Sequence, residues 1–329
     1  MTRKNYLILA MIISHLIIGE IGMCKKIKID ADNHRICGKS NMRQWQHHQS
    51  AYKCNDDDDD WLDLFDWRST DAKVRSKRVA GGADSYEGEF PSAVILRGKH
   101  TTNGKTRVCG GTLIHSNLVI TAAICLANVD KLEVQLGTAN PSISKGITIE
   151  ADNWCQHKKY SGGHGYNIAI VRLSQKVDYI YGKIWPACLR LSDEHKSSAT
   201  CSAVGFGLES EQDLANRLKT IELKRNCYTS SGVKHSMTCY STDDQPGGVC
   251  SADQGSGLYC FGKVNPCDSD TKRSFVVGSF GWTDSDCNGN KKTTQYFADF
   301  YKNRRAIRDM INTLIHAGKV KEDHTCKRW

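Results

Sequence analysis

Fifteen cysteines in a chain of 329 residues are the feature that most narrows what this sequence can become. Free thiols at that density are an oxidation liability in a reducing cytosol, whereas an oxidising compartment turns them into staples for a loop-rich fold. The expectation is a secreted, extracellular protein held by disulfides. The start of the chain agrees. Arg3 and Lys4 precede an apolar run from Tyr6 to Ile18, broken only by Ser14 and His15 and followed by Gly19, Gly22 and Cys24. That is the order of a signal peptide, over residues 1–23. A membrane anchor needs about 20 apolar residues, and Glu20 closes this run early. No later segment is apolar enough for a bilayer, so no membrane span is expected after signal removal.

The length admits one large domain and a smaller piece. A net charge of +9 favours acidic partners such as a sulfated, anionic glycan or an anionic protein face, although a solvated cationic surface has the same composition. Residues 24–78 differ from the rest of the chain, with few aliphatics and the acidic run Asp56 to Asp60. They form a propiece without its own core. The acidic run is either an electrostatic cover for the basic remainder or a solvated stretch. Behind it, Trp61, Leu62, Leu64, Phe65 and Trp67 make an apolar cluster that either docks on the main domain or stays disordered. The propiece ends in Arg75-Ser76-Lys77-Arg78, a basic tetrapeptide open to furin-like or trypsin-like processing. The expected cut falls between Arg78 and Val79.

From residue 79 to 329 the pattern changes. Short β-prone stretches alternate with turn signals: Val94-Ile95-Leu96, Thr112 to Ile114, Leu118 to Thr121, Leu132 to Leu136, Ile168 to Leu173 and Phe275 to Gly278. That spacing predicts an all-β barrel or sandwich. Near the end, Phe300, Ile307, Met310, Ile311, Leu314 and Ile315 recur at helical spacing, predicting an amphipathic helix. Its other face carries Lys302, Arg304, Arg305 and Arg308, continued by Lys319, Lys321, Lys327 and Arg328. Such a face either holds an anionic glycan or is simply solvated. There is no internal repeat, and the one sequon, at Asn140, has proline in its middle. No metal spacing, cofactor loop or nucleic-acid signal stands out.

Five blocks now fall in a familiar order. Val79-Ala80-Gly81-Gly82 with Gly88-Glu89-Phe90-Pro91 resembles the mature N-terminus of the chymotrypsin-like (trypsin family) serine proteases. Cys109 to Ile114 resembles the strand before their catalytic histidine, Thr121-Ala122-Ala123-Ile124-Cys125 the histidine block, Asn167 to Leu173 the aspartate block, and Cys250 to Leu258 the nucleophile block. The resemblance implies two six-stranded β-barrels with a C-terminal helix. It also implies that the catalytic positions are occupied by residues that cannot perform the chemistry. Ile124 stands for the general base, Asn167 for the buried carboxylate and Gln254 for the serine. Ala252 stands where a glycine serves the oxyanion hole, and its Cβ disfavours that backbone geometry. Gly248 replaces the aspartate of the trypsin-like pocket floor. Phe280 and Gly281 fall on the pocket-lining strand, and Thr294 falls near a wall glycine, where its side chain would partly fill the pocket. His157 and His164 precede Asn167, but a loop histidine without an activated nucleophile beside it does not restore the chemistry.

Two further implications come from the same resemblance. Asp253 stands where the family pairs a buried carboxylate with the amine freed by activation, here that of Val79. It is either the lock of a cleavage-driven switch or an inherited core residue. The family pairings join Cys109 to Cys125, Cys201 to Cys260, Cys227 to Cys239 and Cys250 to Cys287, and they tie Cys188 to the propiece through Cys37 or Cys54. Cys155, Cys267 and Cys326 lie outside that framework, and Cys24 sits at the end of the signal peptide. The functional expectation is a non-catalytic homologue that binds a protein partner, as cofactor, decoy or antagonist in an extracellular protease cascade. The alternative is an adhesion protein that binds an anionic glycan on the basic helix. A third class, an active endopeptidase, conflicts with Gln254.

Overall fold

The computed structural model of the chain describes residues 82–102, 104–140, 146–191, 201–207, 217–225, 227, 235–242, 247–250, 253–263, 272–284, 293–316 and 326–328. The segments expected to be signal peptide and propiece, and the expected cut between Arg78 and Val79, therefore lie outside the described residues. After a two-residue strand β1 (Ala83–Asp84), six strands build the first barrel: β2 (Ala93–His100), β3 (Thr106–His115), β4 (Leu118–Thr121), β5 (Val129–Leu136), β6 (Ile147–Gln156) and β7 (Ala169–Leu173). They are joined in the order β6-β5-β2-β3-β4-β7, and β6 closes the ring by pairing with β7 as well. It reaches both neighbours by dividing its length. Ile147 to Glu150 lie opposite β5, and Ala151 to Gln156 lie opposite β7. The inward residues, among them Val94, Leu96, Leu113, Val119, Val134, Trp154 and Val171, form one buried cluster. Every residue of β4 is buried, because its second face turns toward the rest of the domain.

The second barrel is built from β9 (Cys201–Gly205), β10 (Lys219–Leu223), β11 (Met237–Ser241), β12 (Gly257–Lys263), β13 (Lys272–Thr283) and β14 (Thr294–Asp299), with β8 (Cys188–Leu189) parallel beside β13. Its order is β10-β9-β12-β13-β14-β11. The two ends meet where Lys224 and Ser241 exchange backbone hydrogen bonds of 2.9 Å each. The first barrel is thus a full closure, and the second a curled sheet fastened by one bridge. Strand β1 adds to β10, where Lys219 Nζ lies 2.5 Å from Asp84 Oδ1. The all-β architecture expected from the sequence is the one found.

Helix α1 (Arg304–Ile315) follows the second barrel and buries Ile307, Met310, Ile311 and Leu314, the i, i+3, i+4, i+7 seam of an amphipathic helix. The expected face is one residue too wide. Ile315 follows Leu314 by about 100° of rotation and is 40% exposed. Asn303 Nδ2 donates to the carbonyls of Ser236 and Asp299, at 2.7 Å each, and so fixes where the helix starts. Arg172 from β7 donates to the Leu314 carbonyl at its end. Beyond the helix, β15 (Cys326–Arg328) pairs antiparallel with β6, so the backbone at Lys327 and Arg328 is strand and does not continue the helix. Disulfides join Cys109 to Cys125, Cys201 to Cys260 and Cys227 to Cys239. Cys155, Cys188 and Cys250 are disulfide-bonded too, whereas Cys24, Cys37, Cys54, Cys267 and Cys287 lie outside the described residues. Among the described residues, no helix is long and apolar enough to cross a membrane.

Candidate functional site

Where the barrels meet, the chain approaches itself closely. The Gly110 N–H donates to the Gln254 carbonyl at 2.8 Å, and a Cβ on Gly110 would lie 1.9 Å from Ser256 Oγ. Gly255 has φ of +87°, and a Cβ there would lie 2.2 Å from Thr121 Oγ1 and 2.3 Å from the Gly110 carbonyl oxygen. Only glycine combines that left-handed backbone with that lack of space. The turn that presents Gln254 is therefore wedged against the first barrel.

Ile124 sits in a 3-10 turn, Ala123–Leu126, directly after β4. The Cys109–Cys125 bridge fastens this turn to β3, Arg107 NH1 donates to the Ile124 carbonyl, and Gln156 Nε2 donates to the Ala123 carbonyl at 2.7 Å. Asn167 is 3% exposed and accepts the Ile124 N–H on its Oδ1 at 2.9 Å. Gln254 is half-buried. Its Nε2 donates to the Gly281 carbonyl on β13 at 3.3 Å. Gly281 in turn faces Asn167, since a Cβ on it would lie 3.7 Å from Asn167 Nδ2. Disulfide sulfur Cys125 Sγ lies 3.5 Å from the Gln254 carbonyl oxygen. The structure thus brings Ile124, Asn167 and Gln254 to one cleft, as an aliphatic chain and two amides with no titratable group among them.

Neither nearby histidine enters that constellation. His157 is buried, stacks on Tyr166 with centroids 4.8 Å apart, and accepts the Lys159 N–H on Nδ1. Burial, reinforced by the positive charges of Lys159 and Lys158, pushes its pKa down to about 4, so the ring is neutral at physiological pH. His164 is exposed and lies tilted by 31° against Trp282 with centroids 4.4 Å apart, and Trp282 stacks on Tyr296 at 3.9 Å. Among the described residues, no serine, threonine or cysteine side chain hydrogen-bonds to either ring. Sequence reasoning missed Trp282: a β-bulge between Phe280 and Trp282 sets the two against consecutive residues of β14, Phe297 and Tyr296, so they face opposite sides of the sheet and no period-2 pattern announces the second.

The resemblance makes Gly248 a pocket floor with Thr294 near its wall. Thr294 is half-buried and engages Asp284 and Thr283 through its backbone. The side chain that stands against Gly248 is that of Gln295, wholly buried. A Cβ on Gly248 would lie 2.0 Å from Gln295 Nε2. Consecutive strand residues point to opposite faces, so a displacement of one residue moves the intruding side chain from threonine to glutamine. A chain of hydrogen bonds runs from Gln295 Nε2 to Thr293 Oγ1 and on to the Gly247 carbonyl, at 2.5 Å each, while Gln295 Oε1 is buried without a hydrogen-bond partner. Phe280 is buried and packs on Phe297 at 5.7 Å.

One residue before Gln254, Asp253 is 1% exposed. Its Oδ1 accepts the Gly207 N–H at 2.6 Å, and its Oδ2 accepts the Cys250 N–H at 3.0 Å. Burial raises its pKa to about 6 against the opposing pull of these two bonds. The carboxylate fits only because Gly205 lacks a side chain, since a Cβ there would lie 2.0 Å from Oδ1. Val79 and Ala252 lie outside the described residues. The basic quartet on α1 is largely engaged with its own protein. Lys302 donates to the Met237 carbonyl, Arg304 stacks on Tyr301 and donates to its carbonyl, and Arg308 Nε is buried. Arg305 alone of the four is exposed.

A family model described as Trypsin matches residues 79–307, well over half of the chain and both barrels. The chain belongs to the trypsin family. It is similar to chymotrypsin-like elastase family member 1 of Canis lupus familiaris, 29% identical over 71% of this chain and 93% of that protein. The corresponding proteins of Felis catus and Homo sapiens are each 28% identical over 71% of this chain, with 90% and 93% of their own lengths covered. This trypsin-family scaffold places the ordered sequence blocks at the junction of the barrels, where Gly110, Thr121 and Gly255 are in contact.

Proposed function

We propose that this chain is a secreted, non-catalytic member of the trypsin family that works by binding a protein partner, as cofactor, decoy or antagonist in an extracellular protease cascade. By motif order, Ile124 takes the place of the general base, Asn167 that of the orienting acid and Gln254 that of the nucleophile. The observation that carries the reading is Gln254. Its amide crosses the cleft to the Gly281 carbonyl, and an amide neither attacks a carbonyl nor exchanges a proton near neutral pH. Loss of one triad member leaves residual activity, but loss of base, acid and nucleophile together leaves at most binding and backbone polarisation. Gln295, which stands against Gly248, supports the same reading by occupying the pocket floor with the protein's own side chain.

Cleavage after Arg78 is the proposed trigger. A buried carboxylate is costly without a cation, and the amine freed at Val79 would supply one to Asp253 and order the loops around it. Secretion is supported by the disulfides and by the leader-like start of the chain. The glycan alternative has weaker support, because Lys302 and Arg304 donate to backbone carbonyls of this chain and Arg308 Nε is buried.

The test is a pull-down from the secreted fluid with protein cut after Arg78 beside an uncut Arg78→Ala form, with peptide turnover assayed on both. A partner captured by the cut form alone, without turnover, is the expected result. Equal capture by both forms removes the switch.

A further inference from the structure

Large apolar side chains gather at one place on the described surface. Tyr86 is 50% exposed, Ile180 48% and Tyr181 63%. They belong to two turns in contact. Gly88 lies so close to Gly182 that a Cβ on it would stand 2.3 Å from the Gly182 carbonyl oxygen. The turn that begins at Tyr86 is thereby pressed onto the turn between Ile180 and Ile184. Trp185 continues the cluster inward, with its ring 6.0 Å from that of Tyr181 and 5.8 Å from that of Tyr179. The exposed charges around it, Lys176 and Lys183 against Glu87 and Asp178, cancel. An occupant is therefore recognised by apolar contact and not by charge.

We propose that this patch is the docking surface for the chain's own Trp61–Trp67 segment. The described residues begin at Gly82, only four residues before Tyr86, so the preceding chain is tethered at most about 15 Å of chain from the patch. Trp67 lies fifteen residues before Gly82, a span of at most about 50 Å, and the patch is well inside that reach. A second anchor stands on the other side. Cys188 follows Trp185 by three residues and is disulfide-bonded, and the partner implied by the family resemblance, Cys37 or Cys54, precedes the segment. In the uncut chain a segment tethered through Gly82 acts at millimolar effective concentration, which a second copy of the chain at micromolar concentration does not match. Its five apolar residues in seven, two of them tryptophan, suit a tyrosine-lined surface that offers ring faces and edges.

The proposal does not depend on whether the chain is catalytic. The experiment is hydroxyl-radical footprinting of the uncut Arg78→Ala chain against the same chain carrying Trp61→Ser/Trp67→Ser, with light scattering on both and Ile315 as an internal control. Oxidation of Tyr86 and Tyr181 is expected to rise severalfold in the variant, with the Ile315 rate and the monomer mass unchanged. Equal tyrosine oxidation in both proteins overturns the proposal. So does protection that grows with protein concentration alongside a dimer mass, which would assign the patch to a second copy. A Tyr181→Ser variant approaches the contact from the other side and should raise oxidation of Trp61 and Trp67. No change there also overturns it.

Discussion

Asp253 and Gln254 are neighbours in the chain and stand in opposite relations to their surroundings. The carboxylate of Asp253 is enclosed, bonded by two backbone N–H groups and fitted against a glycine. The amide of Gln254 lies across an open cleft on a single 3.3 Å bond to Gly281. Removing the first would disturb the fold around it, whereas removing the second would leave the same turn on the same backbone bonds. The backbone that presents Gln254 is thus held independently of its side chain, by glycines, a disulfide and main-chain bonds. Asp253 is different, since a buried charge is expensive unless something pairs with it.

The largest test of that contrast lies one residue further on. Gly255→Ala places a Cβ where Thr121 and Gly110 already stand and strains a left-handed backbone. Its expected cost is on the order of 4 kcal/mol or more, whereas Gln254→Ala should cost less than about 1 kcal/mol. Urea unfolding of the two variants measures both, and equal costs would remove the distinction between scaffold and chemistry.

Next in size is the pH dependence of stability in the uncut protein. Asp253, raised from 3.8 to about 6, holds its proton more tightly folded than unfolded. Its contribution therefore declines as pH rises from about 4 through 6, by on the order of 3 kcal/mol. His157, lowered from 6.5 to about 4, acts in the opposite sense: the unfolded chain takes up its proton first, so stability falls as pH drops below 6.5. The two slopes oppose each other in the same window. Asp253→Asn should leave stability rising with pH between 4 and 6.5, and His157→Gln should leave it falling. Thermal melts across that range check both, and parallel profiles in the two variants would contradict the assignment.

A comparison on α1 is of similar size at one end and small at the other. Ile311→Ala should cost about 2–5 kcal/mol, and Ile315→Ala less than about 0.5 kcal/mol. The smallest expected effect is on turnover. Gln254→Ser restores a hydroxyl but leaves Ile124 and Asn167 beside it, so peptide hydrolysis should stay at the level of buffer.

Much of the scaffold was legible because it rests on discrete signals. Cys109, Cys125 and the glycines at 110, 111 and 255 mark contacts that no other residue types serve, and the structure brings Ile124, Asn167 and Gln254, which their order singled out, close together. The side chain against Gly248 was not legible: it is that of Gln295, next to the Thr294 the resemblance singled out. Nothing in Thr293-Thr294-Gln295 reveals the phase of the strand, and phase alone decides which side chain faces Gly248. The contacts of the basic face were not legible for another reason: composition gives the charges of Lys302 and Arg304 but does not say that they fold back onto Met237 and Tyr301. Strand β15 has three residues, too few to show any period. The Trp282 stack depends on His164 and Tyr296, distant in sequence, and left no local pattern.

The most direct test of the central claim is a peptide-library turnover assay on protein cut after Arg78, alongside the same protein carrying Gln254→Ala. The account predicts no cleavage above buffer from either and no covalent labelling by serine-directed phosphonates. Turnover that disappears in the Gln254→Ala protein would contradict it.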